Sequence, residues 1–399
     1  MKFKYFQNKF MGSVIKLCGL SSAFVIVMMV IFLFKEGSGL FSEPVVEPGY
    51  VLAVNTNNKI ETLNEVQIKE LFDAEIQNWS ELGGQDIPIT VLRLSDIPDY
   101  VSEESLGADF ERLPLCIDSL INVMPGIIAF IPEMYIPDNF SGKLIDAGTI
   151  SLSDFVVGSE WFPTAKPAAM FGLLPLLLGT LWVSIAAILL ALPCGLSVAV
   201  YMAELASPKT RAILKPIIEL LAGIPSVVYG FFGLVVLAPL IQNIFGLDVG
   251  ETALTGAVIL AIMALPTIIT VAEDAIRTVP KSVKEASLAL GASHWQTIRR
   301  VILPYASSGI SAAIILGVGR AVGETMAVLM VTGNSAVIPN SLLMPVRTIP
   351  ATIAAELGEA SAGGTHYQAL FLLACVLFLM TLVLSLTASY ISSKQNKHG

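Results

Sequence analysis

The chain has 399 residues, of which 54% are hydrophobic and only 14% are charged, and its formal net charge is −9. A water-soluble protein of this length needs more charged surface, so the composition excludes an ordinary soluble protein. The apolar residues form continuous blocks, which also excludes a membrane β-barrel, because barrel strands alternate apolar and polar side chains.

Six apolar blocks have roughly the 20 residues that an α-helix needs to cross a hydrocarbon core of about 30 Å. These predicted spans cover about residues 13–34, 171–193, 213–242, 253–272, 306–332 and 368–392. The first block ends at Lys35-Glu36 and has no small-residue cleavage site, so we interpret it as a retained anchor and not as a signal peptide. The predicted fold is an all-α, multi-pass membrane protein with six transmembrane helices.

The charge is distributed very unevenly along the chain. Residues 36–168 contain 22 acidic and 6 basic side chains, a local balance of −16, whereas the rest of the chain has a balance of +7. Basic clusters precede the first predicted span, separate the fourth from the fifth, and follow the sixth. Because cytoplasmic loops carry an excess of Lys and Arg, we expect all three clusters and both termini in the cytoplasm, and residues 36–168 outside.

Residues 36–168 are too long for a simple connection and predict a small α+β domain between the first two spans. They include an alternating apolar stretch at 87–92 and a helical segment at 63–72 with Asn64 or Thr62 as its N-cap. The chain thus divides into four predicted parts: an N-terminal segment with the first span (1–35), the acidic extracytoplasmic domain (36–168), the membrane core (169–393) and a cytoplasmic tail (394–399).

The cysteines and histidines predict neither a disulfide in the external domain nor a metal site. Cys116 is the only cysteine in residues 36–168, and the three histidines are scattered along the chain. The chain also has no P-loop and no nucleophile elbow, so we expect no enzymatic activity of its own. We expect neither a bound cofactor nor a nucleic-acid partner.

The loop at 273–305, between the fourth and fifth spans, predicts two short helices at the membrane surface. Ser282-Val283-Lys284-Glu285 has the spacing of a capping box, and so has Ser293-His294-Trp295-Gln296. Gly291 interrupts the helical pattern between them, and Pro304 ends it before the next span. The predicted apolar faces are Val283, Ala286 and Leu290 in the first helix and Trp295, Ile298 and Ile302 in the second. Such a pair is typical of an element that docks into a soluble partner, although a plain connecting loop stays open.

This loop resembles the "EAA" coupling loop of ABC-importer permeases. Glu285-Ala286-Ser287 is followed after three residues by Gly291, and after nine more by Val301-Ile302-Leu303-Pro304. Ser287 and Val301 stand where the family pattern has alanine and isoleucine. The resemblance implies that Glu285, Ala286, Gly291, Leu303 and Pro304 couple the chain to a separate ATPase subunit, which would hydrolyse the ATP.

Two charged residues, Arg320 and Glu324, lie near the middle of the fifth predicted span, where each charge costs roughly 2.5–3.5 kcal/mol to insert. Because they are four residues apart, they share a helix face and predict either an intrahelical ion pair that holds the bundle together or a substrate pathway. In the second case Arg320 would offer a bidentate guanidinium to a passing oxyanion. Glu324 would then hold Arg320 in place and keep the anion from binding too tightly.

The third predicted span is interrupted by the sequence Gly223-Ile224-Pro225-Ser226. Pro225 removes one backbone hydrogen bond, so we expect a kink or an unwound turn there. Gly223 and Pro225 are therefore hinge candidates, with a static structural kink as the alternative.

Further stretches resemble the PstC-type permease of phosphate ABC importers. They are GRAVGETMAVLMVTGN at 319–334, ELLAGIPSVVYG at 219–230, PVRT at 345–348 and KEASLALGASHWQTIRRVILP at 284–304. The resemblance covers residues 170–392 and implies ATP-driven phosphate import by alternating access across the bacterial inner membrane. It also implies a PstA-type permease, ATPase subunits, an extracytoplasmic phosphate-binding protein and membrane lipid as partners. Two alternatives stay open: the same type of permease for molybdate, sulfate or a phosphonate, and a membrane sensor that signals only through partners.

The external domain departs from that family, in which this region is short. Residues 71–93 and 122–131 resemble stretches of the phosphate-binding protein of the same system. Leu94-Ser95-Asp96 stands where that protein has the Ser-Gly-Thr loop that binds the anion, and a domain with a balance of −16 repels a phosphate dianion. We therefore favour a scaffold or docking role for this domain, with ligand binding as the alternative.

Overall fold

The computed structural model describes residues 2–107 and 110–395, which form two compact units. Ser38–Gly172 is one unit, and the described residues on both sides of it form the other. The end of the predicted cytoplasmic tail, residues 396–399, lies outside the described residues. Helix α1 (Lys2–Ser38) is the first element along the chain.

The Ser38–Gly172 unit combines a four-stranded sheet with short helices. The strands are β1 (Tyr50–Val54), β2 (Thr90–Arg93), β3 (Ile127–Pro132), β4 (Lys143–Ile145), β5 (Trp161–Phe162) and β6 (Met170–Phe171). The sheet order is β2-β3-β1-β4, with β1 antiparallel to both neighbours and β2 parallel to β3, while β5 and β6 form a separate antiparallel pair. The helices are α2 (Glu65–Phe72), α3 (Ile97–Tyr100), α4 (Glu103–Leu106), α5 (Leu113–Val123) and α6 (Leu152–Val157). Short 3-10 turns lie at Gly39–Ser42, Trp79–Leu82, Leu94–Asp96 and Glu133–Tyr135.

Helix α2 begins at the cap that the sequence predicts. The Asn64 side chain accepts a hydrogen bond from the Gln67 backbone N–H at 2.9 Å, and the Gln67 side chain accepts one from the Asn64 N–H at 3.1 Å. This reciprocal pattern is a capping box, so the Asn64 cap is confirmed. The unit has a hydrophobic core of its own between the helices and the sheet. In this core, Ile117 of α5 is buried in one cluster with Leu92 and Ala129 of the sheet.

The other unit is built almost entirely from helices. In addition to α1, they are α7 (Leu174–Val200), α8 (Pro208–Gly223), α9 (Ser226–Phe232), α10 (Ala238–Phe245), α11 (Ala253–Arg277), α12 (Lys281–Ala289), α13 (His294–Thr297), α14 (Leu303–Tyr305), α15 (Ser307–Val322), α16 (Met326–Val331), α17 (Ile349–Glu356) and α18 (Thr365–Gln395). Three π-helical turns extend or join these helices. One continues α7 (Tyr201–Leu205), one joins α9 to α10 (Gly233–Leu237), and one joins α13 to α14 (Ile298–Ile302).

Within the described residues, five helical stretches are long and apolar enough to cross a membrane. They are Phe10–Ser42, Leu174–Leu205, Ser226–Phe245, Ala253–Arg277 and Thr365–Thr387. A sixth crossing is formed if the bent pair His294–Tyr305 and Ser307–Val322, whose axes meet at 71°, counts as one span. The prediction of a mostly helical, multi-pass membrane protein is therefore confirmed.

The predicted third span, 213–242, is interrupted at Pro225, as the sequence predicts. Helix α8 ends at Gly223 and α9 begins at Ser226, with Ile224 (φ −68°, ψ 129°) and Pro225 (φ −59°, ψ 141°) between them in extended conformations. Proline disfavours the helical region for the residue before it, which explains the extended Ile224. The apolar stretch that can cross the membrane begins only after this break, at Ser226.

The predicted fifth span, 306–332, is also not one helix. Helix α15 ends at Val322 and α16 begins at Met326, so residues 323–325 separate the two. Gly323 is the C-cap of α15, with a φ of −88° and a ψ of −1°, and glycine has a low propensity to continue a helix. The sequence stays apolar across this break, so hydropathy alone predicts one continuous helix.

Small residues bring the helices of this unit close together, as is usual in membrane bundles. A Cβ added at Gly317 of α15 would lie 2.8 Å from the Ile268 side chain of α11, and one at Gly195 of α7 would lie 2.9 Å from it. A Cβ at Gly230 of α9 would lie 2.8 Å from the Met330 sulfur of α16. Helices α7, α11 and α15 therefore meet around Ile268, and α9 packs directly on α16.

Candidate functional site

Arg320, the predicted anion contact, lies in the last turns of α15 and is half-buried. Its Nη1 donates a hydrogen bond to Thr267 Oγ1 of α11 at 3.3 Å. Its other N–H groups make no hydrogen bond with the described residues. The guanidinium is thus anchored at one nitrogen, and its remaining donors are available to a ligand.

Glu324 lies in the break between α15 and α16 and not on the helix that carries Arg320. Its Oε1 accepts a hydrogen bond from the Ala327 backbone N–H at 3.5 Å, in the first turn of α16. A carboxylate at this position suits the positive end of the helix dipole. No ion pair joins Arg320 to Glu324 among the described residues. The predicted intrahelical pair is therefore wrong, because the helix ends before Glu324, whereas the role of both residues in a substrate pathway stays a prediction.

The break that contains the hinge candidates Gly223 and Pro225 is held by two hydrogen bonds to one carbonyl group. The Leu221 oxygen accepts from the Ile224 backbone N–H at 3.3 Å and from the Tyr229 hydroxyl at 2.9 Å. A Cβ added at Gly223 would meet nothing within 4 Å. The expected interruption at Pro225 is confirmed, and hinge motion at Gly223 and Pro225 stays a prediction.

The 273–305 loop contains the predicted pair of short helices, α12 and α13–α14, joined at a glycine. Gly291 has a φ of +86°, a conformation that favours glycine over residues with a side chain. Ser293 and Gln296 form the predicted capping box, with reciprocal hydrogen bonds of 3.3 and 2.8 Å. The capping box predicted for Ser282 is wrong, because Pro280 is the N-cap of α12 and Ser282 already lies inside the helix.

The predicted apolar faces of this loop are only partly turned inward. Ile298 and Ile302 are buried, but Trp295 is 63% exposed and Leu290 is 90% exposed. Among the residues predicted to couple to an ATPase, Glu285, Ala286, Gly291 and Pro304 are exposed and Leu303 is half-buried. An apolar surface at the end of a charged loop is typical of a protein interaction site. We refer to Leu290 and Trp295 as the apolar tip of the loop.

Comparisons with known proteins identify the family of the membrane unit. Residues 191–396 match the family model described as "binding-protein-dependent transport system inner membrane component". The chain belongs to this family. The predicted resemblance to ABC-importer permeases is thereby confirmed.

Individual relatives of this permease include several transport proteins. It is 39% identical over 246 residues to a probable ABC transporter permease protein, YqgH, of Bacillus subtilis, an alignment that covers 62% of this chain and 79% of the relative. It is 38% identical over 270 residues to the phosphate transport system permease protein PstC of Mesorhizobium japonicum, with 63% and 81% covered. A solved structure of the MetNI methionine ABC transporter aligns with 54% of this chain and 93% of that chain, at 19% identity and a TM-score of 0.44. The predicted resemblance to PstC-type permeases is also confirmed.

One charged cluster of the permease was not predicted as a site. Glu356, at the end of α17, accepts from Arg347 Nη2 at 2.8 Å and lies 2.9 Å from Nε2 of His366, in the first turn of α18. The three residues connect the segment before α17 to α18. The sequence offered a weak signal, because Arg347 belongs to the PVRT stretch that the family resemblance singled out without giving it a role.

A second unpredicted cluster lies at the end of α11, where the coupling loop begins. Glu273 is only 1% exposed, and its Oε1 lies 2.5 Å from Arg211 of α8 and 3.7 Å from Arg277. Lys215 of α8 lies 3.8 Å from the neighbouring Asp274. The basic side of α8 is therefore paired with the acidic end of α11, a relationship between distant segments that no local motif reveals.

In the Ser38–Gly172 unit, the groups at the end of β2 bond to the protein itself. Asp96 Oδ2 accepts from the Arg93 backbone N–H at 2.9 Å, and Ser95 Oγ donates to Asp96 Oδ1 at 2.9 Å. Arg93 Nη2 donates to the Phe72 carbonyl oxygen at 3.0 Å, and the guanidinium lies 5.4 Å from the centre of the Phe72 ring. The Asp96 carboxylate thus accepts both from the backbone N–H at the end of β2 and from the neighbouring Ser95 hydroxyl.

The same unit contains a buried carboxyl group with a raised pKa. Burial, with a smaller contribution from the nearby Asp154 carboxylate, raises the pKa of Glu65 from 4.5 to about 7. Its Oε2 has no hydrogen-bond partner among the described residues. No group of three or more His, Cys, Asp or Glu side chains in the described part of the chain could hold a metal ion.

Proposed function

We propose that this permease is the PstC-type membrane subunit of an ATP-driven importer of inorganic phosphate. The observation that carries the proposal is its identity of 38% over 270 residues with a phosphate transport system permease, PstC. The helix–glycine–helix geometry of the 273–305 loop supports the same role, because it leaves the apolar tip free for a soluble subunit. Molybdate, sulfate or a phosphonate is less favoured as a substrate, since the similar PstC proteins are named for phosphate.

The proposed arrangement places both termini and the coupling loop in the cytoplasm of a bacterium, and the Ser38–Gly172 unit outside. A PstA-type permease would complete the membrane pathway, and ATPase subunits would bind the coupling loop and hydrolyse ATP. The chain itself would need no cofactor. An extracytoplasmic phosphate-binding protein would deliver the anion to the outer face.

The proposed transport cycle is alternating access. ATP binding closes the ATPase subunits and moves the coupling loop, which transmits the movement to the membrane helices and opens the pathway outward. Arg320 then offers its free guanidinium donors to the phosphate oxygens, and the break around Gly223 and Pro225 absorbs the change in helix direction. Hydrolysis returns the helices to the inward-open arrangement.

The Ser38–Gly172 unit would act as a docking scaffold and not as a second phosphate site. The internal bonds of Arg93 and Asp96 support this role, because the backbone N–H at the end of β2 is already occupied by a carboxylate. The strongly acidic composition of this segment also opposes the binding of a dianion.

The proposed function is tested by reconstituting the permease in proteoliposomes with its proposed partner subunits. We expect uptake of labelled phosphate that requires ATP inside and the binding protein outside, and that an excess of unlabelled phosphate abolishes. Competition by sulfate, molybdate or a phosphonate at lower concentration than phosphate would contradict the assignment of the substrate. Absence of ATP-driven uptake of all these anions would contradict the permease role itself.

A further inference from the structure

The two helices of the coupling loop are attached to the membrane unit in different ways. In the second half of the loop, Ile298 and Ile302 are buried in a cluster with Ala199 of α7 and Ala272 of α11. Helix α12, in the first half, has no buried side chain. Apolar packing therefore holds the second half of the loop against the membrane helices, whereas α12 needs another connection.

Helix α12 is connected to α7 by an ion pair. Lys284 Nζ lies 2.5 Å from Glu204 Oε1, and the two side chains are only 20% and 7% exposed. Glu204 belongs to the π-helical turn Tyr201–Leu205, which continues α7. Single π-helical turns are frequent at functional sites. A pair that is largely shielded from water also has a well-defined geometry, because a displaced partner would leave the other charge buried and unpaired.

A weaker contact connects α12 to the rest of the loop. The hydroxyl groups of Ser287 and Thr297 lie 3.0 Å apart, so α12 and α13 are joined near Gly291. Lys284 directly precedes Glu285, the first residue of the motif that resembles the ATPase-binding loop. Because the two residues are consecutive, a movement of Glu285 also moves Lys284 and its ion pair with Glu204.

We propose that the ion pair between Lys284 and Glu204 transmits movement of α12, the first helix of the coupling loop, to the end of α7, in addition to the apolar packing of the second half of the loop. In this proposal both are positioning residues, which act on the end of α7 and not on the substrate. When the ATPase subunits pull α12, the pair makes the end of α7 follow. Without it, α12 follows the ATPase while the end of α7 at Glu204 follows less completely, so that less phosphate is imported per ATP hydrolysed. This inference rests on the proposed function, because it assumes that the permease is driven by ATPase subunits.

The test measures the amount of phosphate imported per ATP hydrolysed in the reconstituted complex. The variants are Glu204→Gln, Lys284→Gln, the double neutral variant E204Q/K284Q, and the exchange E204K/K284E. Lys281→Gln is the matched control, because it removes an exposed positive charge from the same helix, outside the pair. Assembly is checked by co-purification, so that every ratio refers to intact complexes. The double neutral variant leaves no charge buried alone and serves if a single variant fails to assemble.

We expect the ratio to fall at least about fivefold in the neutral variants, the low end of typical coupling between sites, while ATP hydrolysis continues. The exchange should restore much of the ratio, and Lys281→Gln should keep that of the native complex. An unchanged ratio in the neutral variants would overturn the inference, and so would a ratio that the exchange does not improve. Both results presuppose that the native complex imports phosphate, so they are distinct from a failure of the proposed function, in which the native complex itself is inactive.

Discussion

The hydroxyl group of Tyr229 donates a hydrogen bond to the carbonyl oxygen of Leu221 at 2.9 Å, across the break between α8 and α9. Tyr229 is buried and belongs to the same cluster as Val328 of α16. The end of α8 is thus fastened to a side chain that is itself held by the core. This bond limits how far the two helices can turn about Gly223 and Pro225.

Replacement of Tyr229 by phenylalanine should loosen this break without unfolding the protein. The Leu221 oxygen keeps its bond from the Ile224 N–H, so we expect a loss of only about 1 kcal/mol, the usual net value of one hydrogen bond. Thermal unfolding of the purified permease in detergent measures the change. Tyr201→Phe is the control, because this tyrosine is exposed and its hydroxyl group makes no hydrogen bond with the described residues. Equal unfolding temperatures for the two variants would contradict a stabilising role for this bond.

The hinge hypothesis predicts that Gly223→Ala slows transport without harming the fold. The added Cβ meets nothing within 4 Å, and alanine favours a helix over glycine by about 1 kcal/mol. The variant should therefore assemble normally but restrict the backbone near the break, and phosphate uptake should fall several-fold. Gly358→Ala, where an added Cβ also meets nothing within 4 Å, is the control. Native uptake by Gly223→Ala would leave a static kink as the better interpretation.

The pathway hypothesis predicts that Arg320→Ala abolishes phosphate uptake while the complex still assembles. Arg320→Lys keeps the charge but loses the planar fork for an oxyanion, so we expect it to restore uptake only partly. Thr267→Val removes the hydrogen bond that the guanidinium donates to Thr267 Oγ1 and should weaken uptake less than Arg320→Ala. Labelled-phosphate uptake and co-purification measure these effects. Normal uptake by Arg320→Ala would exclude the residue from the pathway.

The apolar tip of the coupling loop should contribute to binding of the ATPase subunits. Leu290→Ser and Trp295→Ala change exposed side chains, so the membrane unit should fold normally. Loss of a large apolar contact at an interface costs about 1–2 kcal/mol, which is roughly a tenfold weaker association. Co-purification of the ATPase at increasing dilution measures this loss, with Val123→Ser in the Ser38–Gly172 unit as an exposed control. Undiminished ATPase binding by both tip variants would contradict the docking role.

Local sequence signals predicted the elements that depend on neighbouring residues. Ser293 is predicted as a cap because its partner Gln296 lies three residues further along the chain, and Asn64 is one of two candidate caps at the start of its helix. Ser282 has the same spacing but is not a cap, because Pro280 already occupies that position. The residue at which a helix begins depends on backbone angles that the spacing alone does not give.

Relationships between distant segments could not be predicted in this way. The hydrogen-bond partner of Arg320 is Thr267, on another helix, and not Glu324, which stands four residues away. Likewise, Glu204 meets Lys284 only because α7 and the coupling loop are packed together. Pro225 predicts the break at 224–225, but hydropathy could not reveal the break at 323–325, since the apolar composition continues through it.

The raised pKa of Glu65 predicts a pH-dependent stability of the Ser38–Gly172 unit. Below pH 4.5 this carboxyl group is protonated in both the folded and the unfolded chain and has no effect. Between pH 4.5 and about 7 the unfolded chain releases the proton while the folded unit keeps it, so stability falls as the pH rises. Above about pH 7 the loss of folding stability caused by Glu65 is constant, at most about 3 kcal/mol. Glu65→Gln should therefore stabilise the unit at pH 8 and have little effect at pH 4, as measured by urea unfolding of the isolated unit. Glu75→Gln, at an exposed position, should show no such difference, and an equal response of the two variants would contradict the prediction.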